Sequence, residues 1–549
     1  MKRVGLTGKT GMMFALGFFL ILSACGGSNS SGSGQGAVGI SVMDAPGDFD
    51  HAYITVKDVW FHKSDTADPR SGDWLKYPLT APVTVDLLAL SNGEMQSIWS
   101  GIQLPAGLYK QIRLFLEPTY PTSANPAPPG HTYFNEVVTG PSTTLPLYVP
   151  DAYHGIRLVG AFTVTAGKSL NLAIDFDAGH DVVEFHEGED YLLKPRLTYF
   201  DLDNVGAIIG QISTGGTFTT TPRFVIKAER MATAQEMIDS GATTSYHVIR
   251  RWTVPDANGR FILYPVSTLV TSTWDVVLRG LDRKTVIVKG VPIMKGATPA
   301  SNATDLGTID MMQASTPDYA VAGSIQSPTG AWVQFYQTLQ GAAEAPYEIR
   351  FRHFNPLFGA FRQNFELNND QILVGSYVGN GVLSALTATT PVEGIGGYGA
   401  VAGAFLYNRS AAAPVSSSTT TVQFAAPLAV VSSYQSRTVS GAITLHTPGM
   451  MMGHMDKGLL FAVNGGMIVN TLNGTNSAID SQMDHGGSYA ITVPGGSASM
   501  PLPGALYGID AVGWSSSGAL YKAVAVPQIV DVRTGNDTAD IDMLPWWRW

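Results

Sequence analysis

The segment 205–212, with the sequence VGAIIGQI, is the first copy of a pattern that returns at 320–325 (AVAGSI) and 438–443 (TVSGAI). Each copy places a glycine shortly before an isoleucine, and these glycines are 113 and 118 residues apart. Apolar and β-branched residues in this arrangement are typical of strands. The period is too long for a solenoid unit and fits whole domains. We therefore predict three tandem β-sandwich domains, at 204–315, 316–430 and 431–549.

Two further features recur within these repeats. The closing segments 305–311 (DLGTIDM) and 537–543 (DTADIDM) correspond, and 420–424 (TTVQF) is a weaker match between them. In the first and third repeats a turn ending in glycine leads into an aromatic residue, at 256–261 (DANGRF) and 484–489 (DHGGSY). These features resemble the carboxypeptidase regulatory-like, or prealbumin-like, sandwich, which has an Ig-like architecture. The middle repeat, with GAF at 359–361, departs from the aspartate turn.

The composition predicts an all-β fold for the whole chain. The chain has 60 glycines, many Val, Ile, Thr, Tyr and Ser residues, and 14% charged residues. This balance is typical of secreted β proteins rather than helical ones. One helix is predicted at 230–240, where helix formers precede Gly241 as a stop signal.

Residues 37–203 form a further predicted β-sandwich, because alternating segments are separated by turn signals. The predicted strands are 38–43, 52–62, 83–88, 109–116, 144–149, 157–164, 169–176 and 191–200.

Several motifs in this region occur in a family-specific order. They are DAP at 44–46, the strand 53–62, VDLL at 85–88, LPAGLY at 104–109, IRL at 112–114, IDFDA at 174–178 and LKP at 193–195. Together they resemble the domain of unknown function DUF4382, over about residues 37–200. That family is common in lipoproteins of Gram-negative bacteria and archaea. The resemblance implies an extracytoplasmic β-sandwich and no established activity.

The amino terminus predicts export and lipid anchoring. A basic start precedes an apolar run, 12–22, that is too short for a membrane span, and LSAC at 22–25 resembles the lipobox of bacterial lipoproteins. This resemblance implies cleavage of a signal peptide at 1–24 and acylation of Cys25, including an N-linked palmitate. Acyl chains would hold the protein on the membrane. The alternative is an ordinary signal peptide with an incidental cysteine.

The segment after Cys25 bears on the final location. Residues 25–36 are a Gly/Ser linker, and Gly26 directly follows the cysteine. In well-studied enterobacteria an aspartate at this position retains lipoproteins in the inner membrane. We therefore predict an outer-membrane lipoprotein, facing either the periplasm or the cell surface.

Charge limits the classes of partner. The formal net charge is −10, and residues 1–24 carry three cations and no acids, so the mature chain is more negative still. This disfavours nucleic acid and offers no polybasic patch for anionic lipid. The predicted partners are the membrane, through the N-terminal lipid, and an unknown protein or glycan.

The third repeat contains a methionine and histidine cluster. Its candidate ligands are His446, Met450, Met452, His454, Met455, Met483 and His485. Thioether and imidazole groups suit copper, above all Cu(I). If two strands separate the two parts of the cluster, both parts fall at the same end of the sandwich. The alternative, which we favour, is that the methionines pack on apolar surface and no cofactor is bound.

An acidic run lies near the end of the DUF4382-like region. It contains Asp175, Asp177, His180, Asp181, Glu184, His186, Glu187, Glu189 and Asp190. Such oxygen ligands suit Ca²⁺, but the spacing is not that of an EF-hand loop. The favoured interpretation is a solvated hairpin tip.

These observations predict a non-enzymatic, lipid-anchored envelope protein with a binding, adhesive or structural role. The chain has no H-E-x-x-H, G-x-S-x-G, P-loop or dinucleotide-binding motif. A copper-binding protein is the first alternative. A hydrolase with a convergent carboxylate pair is the second, and it requires a deep cleft around acids with raised pKa values.

Overall fold

A computed structural model describes residues 34–45, 47, 49–140, 143–186, 188–219, 223–326, 330–341, 345–355, 360–368, 370–424, 427–445, 457–473, 487–502, 504–514 and 522–545. These residues are almost entirely β, which confirms the predicted fold class. Within the described ranges, no helix combines the length and the apolar character that crossing a membrane requires.

The N-terminal domain is a sandwich of two sheets around one apolar core. Its strands are β1 (Gln35–Ala45), β2 (His51–His62), β3 (Leu75–Asp86), β4 (Gln96–Pro105), β5 (Gly107–Leu116), β6 (Glu136–Val138), β7 (Thr144–Tyr148), β8 (Ile156–Val164), β9 (Ser169–Asp177), β10 (Val182–His186), β11 (Asp190–Leu193) and β12 (Thr198–Asp201). Short helical turns occupy Leu87–Leu90, Leu202–Asn204 and α1 (Ala178–Asp181). One sheet has the order β12-β9-β1-β4, and the other has β10-β11-β7-β6-β2-β5-β8 with β3 on β2.

The eight predicted strands of this domain are recovered, two of them with changed extents, and three further strands, β4, β6 and β10, were not predicted. β3 begins at Leu75, earlier than predicted, because its first half continues the antiparallel pairing with β2. The predicted strand 191–200 divides into β11 and β12 around Pro195. Proline has no backbone N–H to donate to a sheet, so it interrupts the ladder there.

The three repeats follow the N-terminal domain. The first contains β13 (Val205–Ser213), β14 (Phe224–Met231), α2 (Ala234–Ser240), β15 (His247–Thr253), β16 (Arg260–Ser267), β17 (Thr273–Gly280), β18 (Val286–Pro292) and β19 (Thr304–Asp310). The second contains β20 (Tyr319–Ile325), β21 (Trp332–Gln337), β22 (Tyr347–His353), β23 (Ala360–Leu367), β24 (Ile372–Gly379), β25 (Val382–Leu383), β26 (Thr387–Thr389), β27 (Tyr398–Gly403), β28 (Ala413–Val415) and β29 (Thr421–Phe424). The third contains β30 (Gln435–Leu445), β31 (Lys457–Asn464), β32 (Met467–Asn473), β33 (Gly487–Gly495), β34 (Leu506–Trp514), β35 (Lys522–Ala525), β36 (Gln528–Asp531), β37 (Asp537–Thr538) and β38 (Ile541–Pro545).

The repeats share one topology. In each, the opening strand lies between an antiparallel and a parallel neighbour, in the orders β16-β13-β19, β23-β20-β29 and β33-β30-β38. The facing sheets also agree, with the orders β15-β14-β17-β18, β22-β21-β27-β28 and β32-β31-β34-β35. In the third repeat β35 also pairs with β38, which joins its two sheets.

The glycine of each repeat makes room for an aromatic ring on the neighbouring strand. The register pairs are Gly210 with Phe261, Gly323 with Phe361 and Gly441 with Tyr489. A Cβ atom added to Gly210 would lie 2.5 Å from Phe261 Cζ, a distance that real side chains do not tolerate. Glycine in a strand interior costs stability, so its use here is explained by the close approach of the ring.

The isoleucine of each repeat meets the closing strand in parallel register. The pairs are Ile212 with Ile309, Ile325 with Phe424 and Ile443 with Ile541, and all six side chains are buried. Residues two apart in a strand share a face, so the glycine and the isoleucine both point into the core. The motif therefore joins the first, middle and last strands of each repeat.

One segment of the second repeat joins the sheet of the first. β24 pairs in parallel with β18, with Val286 beside Leu373 and Val288 beside Gly375. Leu373 is buried in the core of the first repeat, and Tyr377 packs against that core. The sheet of the first repeat therefore extends beyond residue 315, and the domain boundaries drawn from the sequence stay predictions.

The predicted helix is shorter than the sequence indicated. α2 covers Ala234–Ser240, and Arg230 and Met231 belong instead to β14. Thr233 caps the helix and accepts from Glu236 N–H, while Glu236 accepts in return from Thr233 N–H. Gly241 ends it with a positive φ of 61°, which confirms the predicted stop.

We predict that Gly210→Ala destabilises the first repeat by about 1–3 kcal/mol, because the added methyl group collides with the Phe261 ring. The matched control is Gly216→Ala, since an added Cβ there meets nothing within 4 Å. The control should change the free energy of unfolding by less than about 0.5 kcal/mol. Urea denaturation followed by tryptophan fluorescence measures both, and equal effects would contradict the role given to Gly210.

Candidate functional site

Two predicted sites lie outside the described residues. These are the lipidation site Cys25 and the candidate copper ligands His446, Met450, Met452, His454, Met455, Met483 and His485. Two described features bear on this cluster. Strands β31 and β32 lie between its two parts, and Ile443, before the first part, pairs with Gly487, after the second. Copper binding stays a prediction.

Most residues of the acidic run are described. The favoured interpretation, a solvated hairpin tip, is confirmed for some of its side chains and wrong for others. Glu184 and Glu189 are exposed around the β10–β11 hairpin, as a solvated tip requires. Asp181 and Asp190, however, are 1% and 2% exposed. Among the described residues, no group of three or more His, Cys, Asp or Glu side chains could hold a metal ion.

The acids at the start of the run form a junction with the first repeat, which we call the acidic junction. It consists of Asp44, Asp175, Asp177, His180 and Asp181 of the N-terminal domain, with Arg251 and Trp252 of β15. Arg251 Nη1 donates to Asp175 Oδ1 at 2.7 Å, and Arg251 Nη2 donates to the carbonyl oxygen of Asp44 at 2.7 Å. Trp252 Nε1 donates to Asp177 Oδ1 at 3.0 Å. One strand of the first repeat is therefore bonded to both β1 and β9.

Aromatic rings enclose the imidazole of this junction. His180 Nδ1 lies 2.8 Å from Asp177 Oδ2, and its ring centroid is 4.9 Å from Trp252 and 4.7 Å from Phe351. Phe351 belongs to β22, so the second repeat also reaches the junction. The guanidinium of Arg196 lies 4.6 Å above the Phe351 ring, a cation–π contact.

A buried amine makes a further contact with the second repeat. Lys194 Nζ lies 3.1 Å from His353 Nδ1 and 3.5 Å from the carbonyl oxygen of Gly330. Burial, together with Arg196, lowers the pKa of Lys194 to about 7. Burial also lowers the pKa of His353 well below its usual range. The pair is therefore able to share one proton without placing two charges in the interface.

Burial raises the pKa values of three carboxyl groups in the acidic junction. The pKa of Asp44 lies well above its usual value, that of Asp175 is about 7 despite the opposing effect of Arg251, and that of Asp181 is about 8. These are the raised carboxyls that a hydrolase would need. Asp44 accepts from Ala178 N–H, Asp181 accepts from Arg196 N–H, and Asp175 accepts from Arg251 of the first repeat. These closed contacts do not match the deep cleft of the hydrolase hypothesis.

A second junction joins the N-terminal domain to the third repeat. Asp510 Oδ2 accepts from Tyr148 Oη at 2.8 Å and from Asp151 N–H at 2.9 Å. Arg157 Nη2 donates to Asn464 Oδ1 at 2.9 Å. An apolar cluster lies beside these bonds and includes Tyr120, Phe185, Leu459, Phe461 and Trp514. Burial raises the pKa of Asp510 to about 7.

A third junction joins the first two repeats. Lys227 Nζ lies 3.0 Å from Glu348 Oε1, and these side chains are 3% and 6% exposed. Glu229 Oε2 accepts from Glu348 N–H at 3.1 Å, and burial raises the pKa of Glu229 well above its usual range. A buried ion pair left without one partner is strongly destabilising, so these residues oppose separation of the repeats.

The junctions show that the four domains are not arranged simply in the order of the sequence. The repeats are consecutive in sequence, yet the N-terminal domain contacts all three of them through Arg251, His353 and Asp510. These partners were not predicted from the sequence. One signal was available: the charged pair Arg250-Arg251 interrupts the apolar strand before Trp252, and a buried guanidinium needs a carboxylate or carbonyl partner.

Asp510 generates a pH prediction. Its pKa is about 7 when folded and near 3.8 in the unfolded chain, so the folded state binds the extra proton between these values. Stability from this group therefore falls as pH rises through that window, by up to about 1.4 kcal/mol per pH unit. We expect the free energy of unfolding of the native chain, relative to Asp510→Asn, to decrease from about pH 5 to about pH 7. Urea titrations measure the difference, and a pH-independent difference would contradict the assignment.

Comparisons with known proteins identify one domain. Residues 35–195 match the family model DUF4382, described as a domain of unknown function. This is the segment that folds as the N-terminal sandwich. The match covers less than half of the chain, so it describes that domain alone. A comparison with curated proteins gives no match.

Solved structures give distant likenesses only. The TIE protein of Bacillus anthracis has 8% identity and a TM-score of 0.13, with 90% of this chain and 68% of that chain covered. The shaft pilin SpaA of Lactobacillus rhamnosus GG has 10% identity and a TM-score of 0.16, with 41% and 98% covered. The major pilin SpaD of Corynebacterium diphtheriae has 9% identity and a TM-score of 0.13, with 63% and 99% covered. At these scores the function has to be argued from the chain itself.

Proposed function

We propose that this chain is a non-enzymatic, lipid-anchored protein of the cell envelope with a structural or adhesive role. In this role the N-terminal domain holds the three repeats in a fixed arrangement, so that their loops are presented as one surface. The sequence supports the anchor through Cys25 and its preceding apolar run. The fold supports the structural role through the buried junctions between its domains.

The observation that carries the proposal is the exchange of charged and polar partners between domains. Arg251 is 1% exposed and bonds to Asp175 of another domain, and Asp510 is 2% exposed and bonds to Tyr148 of another domain. Linked domains move relative to one another by default unless the interface between them is large and hydrophobic. Here the charged groups are buried, and an apolar cluster lies beside Asp510 and Tyr148. Separation of the domains would expose the apolar cluster around Phe461 to water. It would also leave the buried charged groups without their partners.

The anchor is tested by labelling cells with an alkyne analogue of palmitate and separating their membranes. The native chain should carry the label and sediment with the outer membrane, because several acyl chains give durable anchoring. Cys25→Ser should lose the label and leave the membrane fraction. Gly26→Asp is the matched control, since it should keep the label whatever its final membrane. A labelled Cys25→Ser chain would contradict the proposed anchor.

The role is tested in cells that lack the protein and are complemented with variants. Deletion should reduce attachment to surfaces or raise sensitivity to detergent. Asp510→Arg should behave like the deletion, because it replaces the buried acceptor of Tyr148 Oη and Asp151 N–H with a larger cation. Asp73→Arg makes the same change at an exposed position and should behave like the native chain. An unchanged deletion strain in both assays would overturn the structural or adhesive role.

A further inference from the structure

The loop between β5 and β6 is built as a rigid frame. Residues 117–135 contain five prolines, each of which fixes the backbone angle φ. Asn125 N–H donates to Thr122 Oγ1 at 2.9 Å, and Thr122 N–H donates to the carbonyl oxygen of Asn125 at 2.8 Å. The loop is also tied to the sandwich, since Thr55 N–H of β2 donates to Asn135 Oδ1 at 2.9 Å. A ligand that binds this loop would have little conformational entropy to remove.

This loop lines an open depression with a volume of about 510 Å³. Its wall combines apolar surface with hydroxyl groups and one imidazole. Pro121, Pro126 and Ala127 provide the apolar part, and Thr122, Ser123, His131 and Thr132 provide the polar part. This mixture of apolar surface and neutral hydroxyl groups matches a polyhydroxylated ligand better than an ion.

The imidazole of His131 is held in place by a buried carboxylate. His131 Nδ1 lies 2.7 Å from Glu136 Oε1, and the Glu136 side chain is 3% exposed. The other oxygen, Glu136 Oε2, accepts from the N–H groups of Thr132 at 3.0 Å and Tyr133 at 2.9 Å. A carboxylate on Nδ1 favours the tautomer with the proton on that atom, which leaves Nε2 as a hydrogen-bond acceptor. Both carboxylate oxygens of Glu136 therefore have hydrogen-bond partners behind the depression.

Tyr53, on strand β2, lies beside the lining residue His131. Its ring centroid lies 4.6 Å from that of His131, and its strand neighbours are Glu136 and Asp86. Burial, with these two carboxylates, raises the pKa of Tyr53, so its hydroxyl remains protonated and able to donate. The exposed imidazole of His51 stacks on Tyr53, with ring centroids 5.3 Å apart.

We propose that this depression binds a neutral saccharide. The C–H face of a sugar ring would lie on the proline and alanine surface, and a sugar hydroxyl would donate to His131 Nε2. The Thr122, Ser123 and Thr132 hydroxyls would complete the hydrogen bonding. The depression is lined by no lysine or arginine for an anion. The described residues also contain no group that could hold a metal ion. The inference deepens the adhesive role proposed above and rests on it.

The test is saturation-transfer difference NMR on the full mature chain carrying Cys25→Ser. The probes are cellobiose, maltose and N,N′-diacetylchitobiose, with glucuronate as an anionic probe and a proline-free peptide mixture as a probe of another class. Saturation transfer to at least one neutral disaccharide is expected. His131→Ala should weaken that binding at least tenfold, and Glu136→Gln, which acts through His131, should weaken it less.

Two further variants separate binding from folding. Ser123→Ala removes a lining hydroxyl that makes no hydrogen bond among the described residues. A loss of saccharide affinity in this variant would therefore reflect a lost contact with the ligand and not a change in folding. His62→Ala, in the same domain but outside the depression, should bind like the native chain. No transfer to any neutral probe, unchanged transfer in both His131→Ala and Ser123→Ala, or preferential binding of glucuronate or peptide would each overturn the saccharide site. Surface attachment that persists in His131→Ala cells would remove this site from adhesion and leave the adhesive role itself intact.

Discussion

A buried guanidinium sets the main constraint on this structure. Arg251 lies almost fully buried between the carboxylate of Asp175 and the carbonyl oxygen of Asp44, which belong to a different domain. Removing a charge from water costs several kcal/mol unless a well-placed partner compensates it. Moving Asp175 and Asp44 away from Arg251 would leave the buried guanidinium without a partner, which is unfavourable. The first repeat therefore stays bound to the N-terminal domain. The same constraint applies at the other domain contacts. There Asp510 is bonded to Tyr148, and Lys227 is bonded to Glu348.

Each repeat satisfies a second constraint inside itself. The opening glycine accepts a cross-strand aromatic ring, and the isoleucine two positions later meets the closing strand. The same two residues thus specify the neighbours on both sides of the opening strand. This explains why the pattern survives in the middle repeat, where Gly323 pairs with Phe361 although the aspartate turn is absent. The repeats supply comparable sandwiches, and the junctions decide how those sandwiches are arranged.

The sequence predicted what depends on local pattern and missed what depends on packing between domains. The all-β fold and most strands of the N-terminal domain follow from alternation and turn residues, which act over a few positions, whereas the DUF4382 segment follows from its resemblance to that family. The strand β24 was not predicted as part of the first repeat, because parallel pairing between distant segments leaves no local signature. Asp181 was placed at a solvated tip for the same reason: its burial depends on contacts between distant segments. His131 was overlooked because its partner Glu136 gains meaning only from the loop that brings them together.

The claim that the domains form one body is tested most directly by hydrogen exchange and mass spectrometry on the mature chain. Arg251→Met should increase amide exchange in its own strand β15 and also in β9, which carries Asp175. The adjacent Arg250→Met is the matched control, because the partner of Arg250 is Glu236 in the same repeat. Its effect should stay within the first repeat. If Arg251→Met leaves exchange in β9 unchanged, the N-terminal domain and the first repeat are not held together as described.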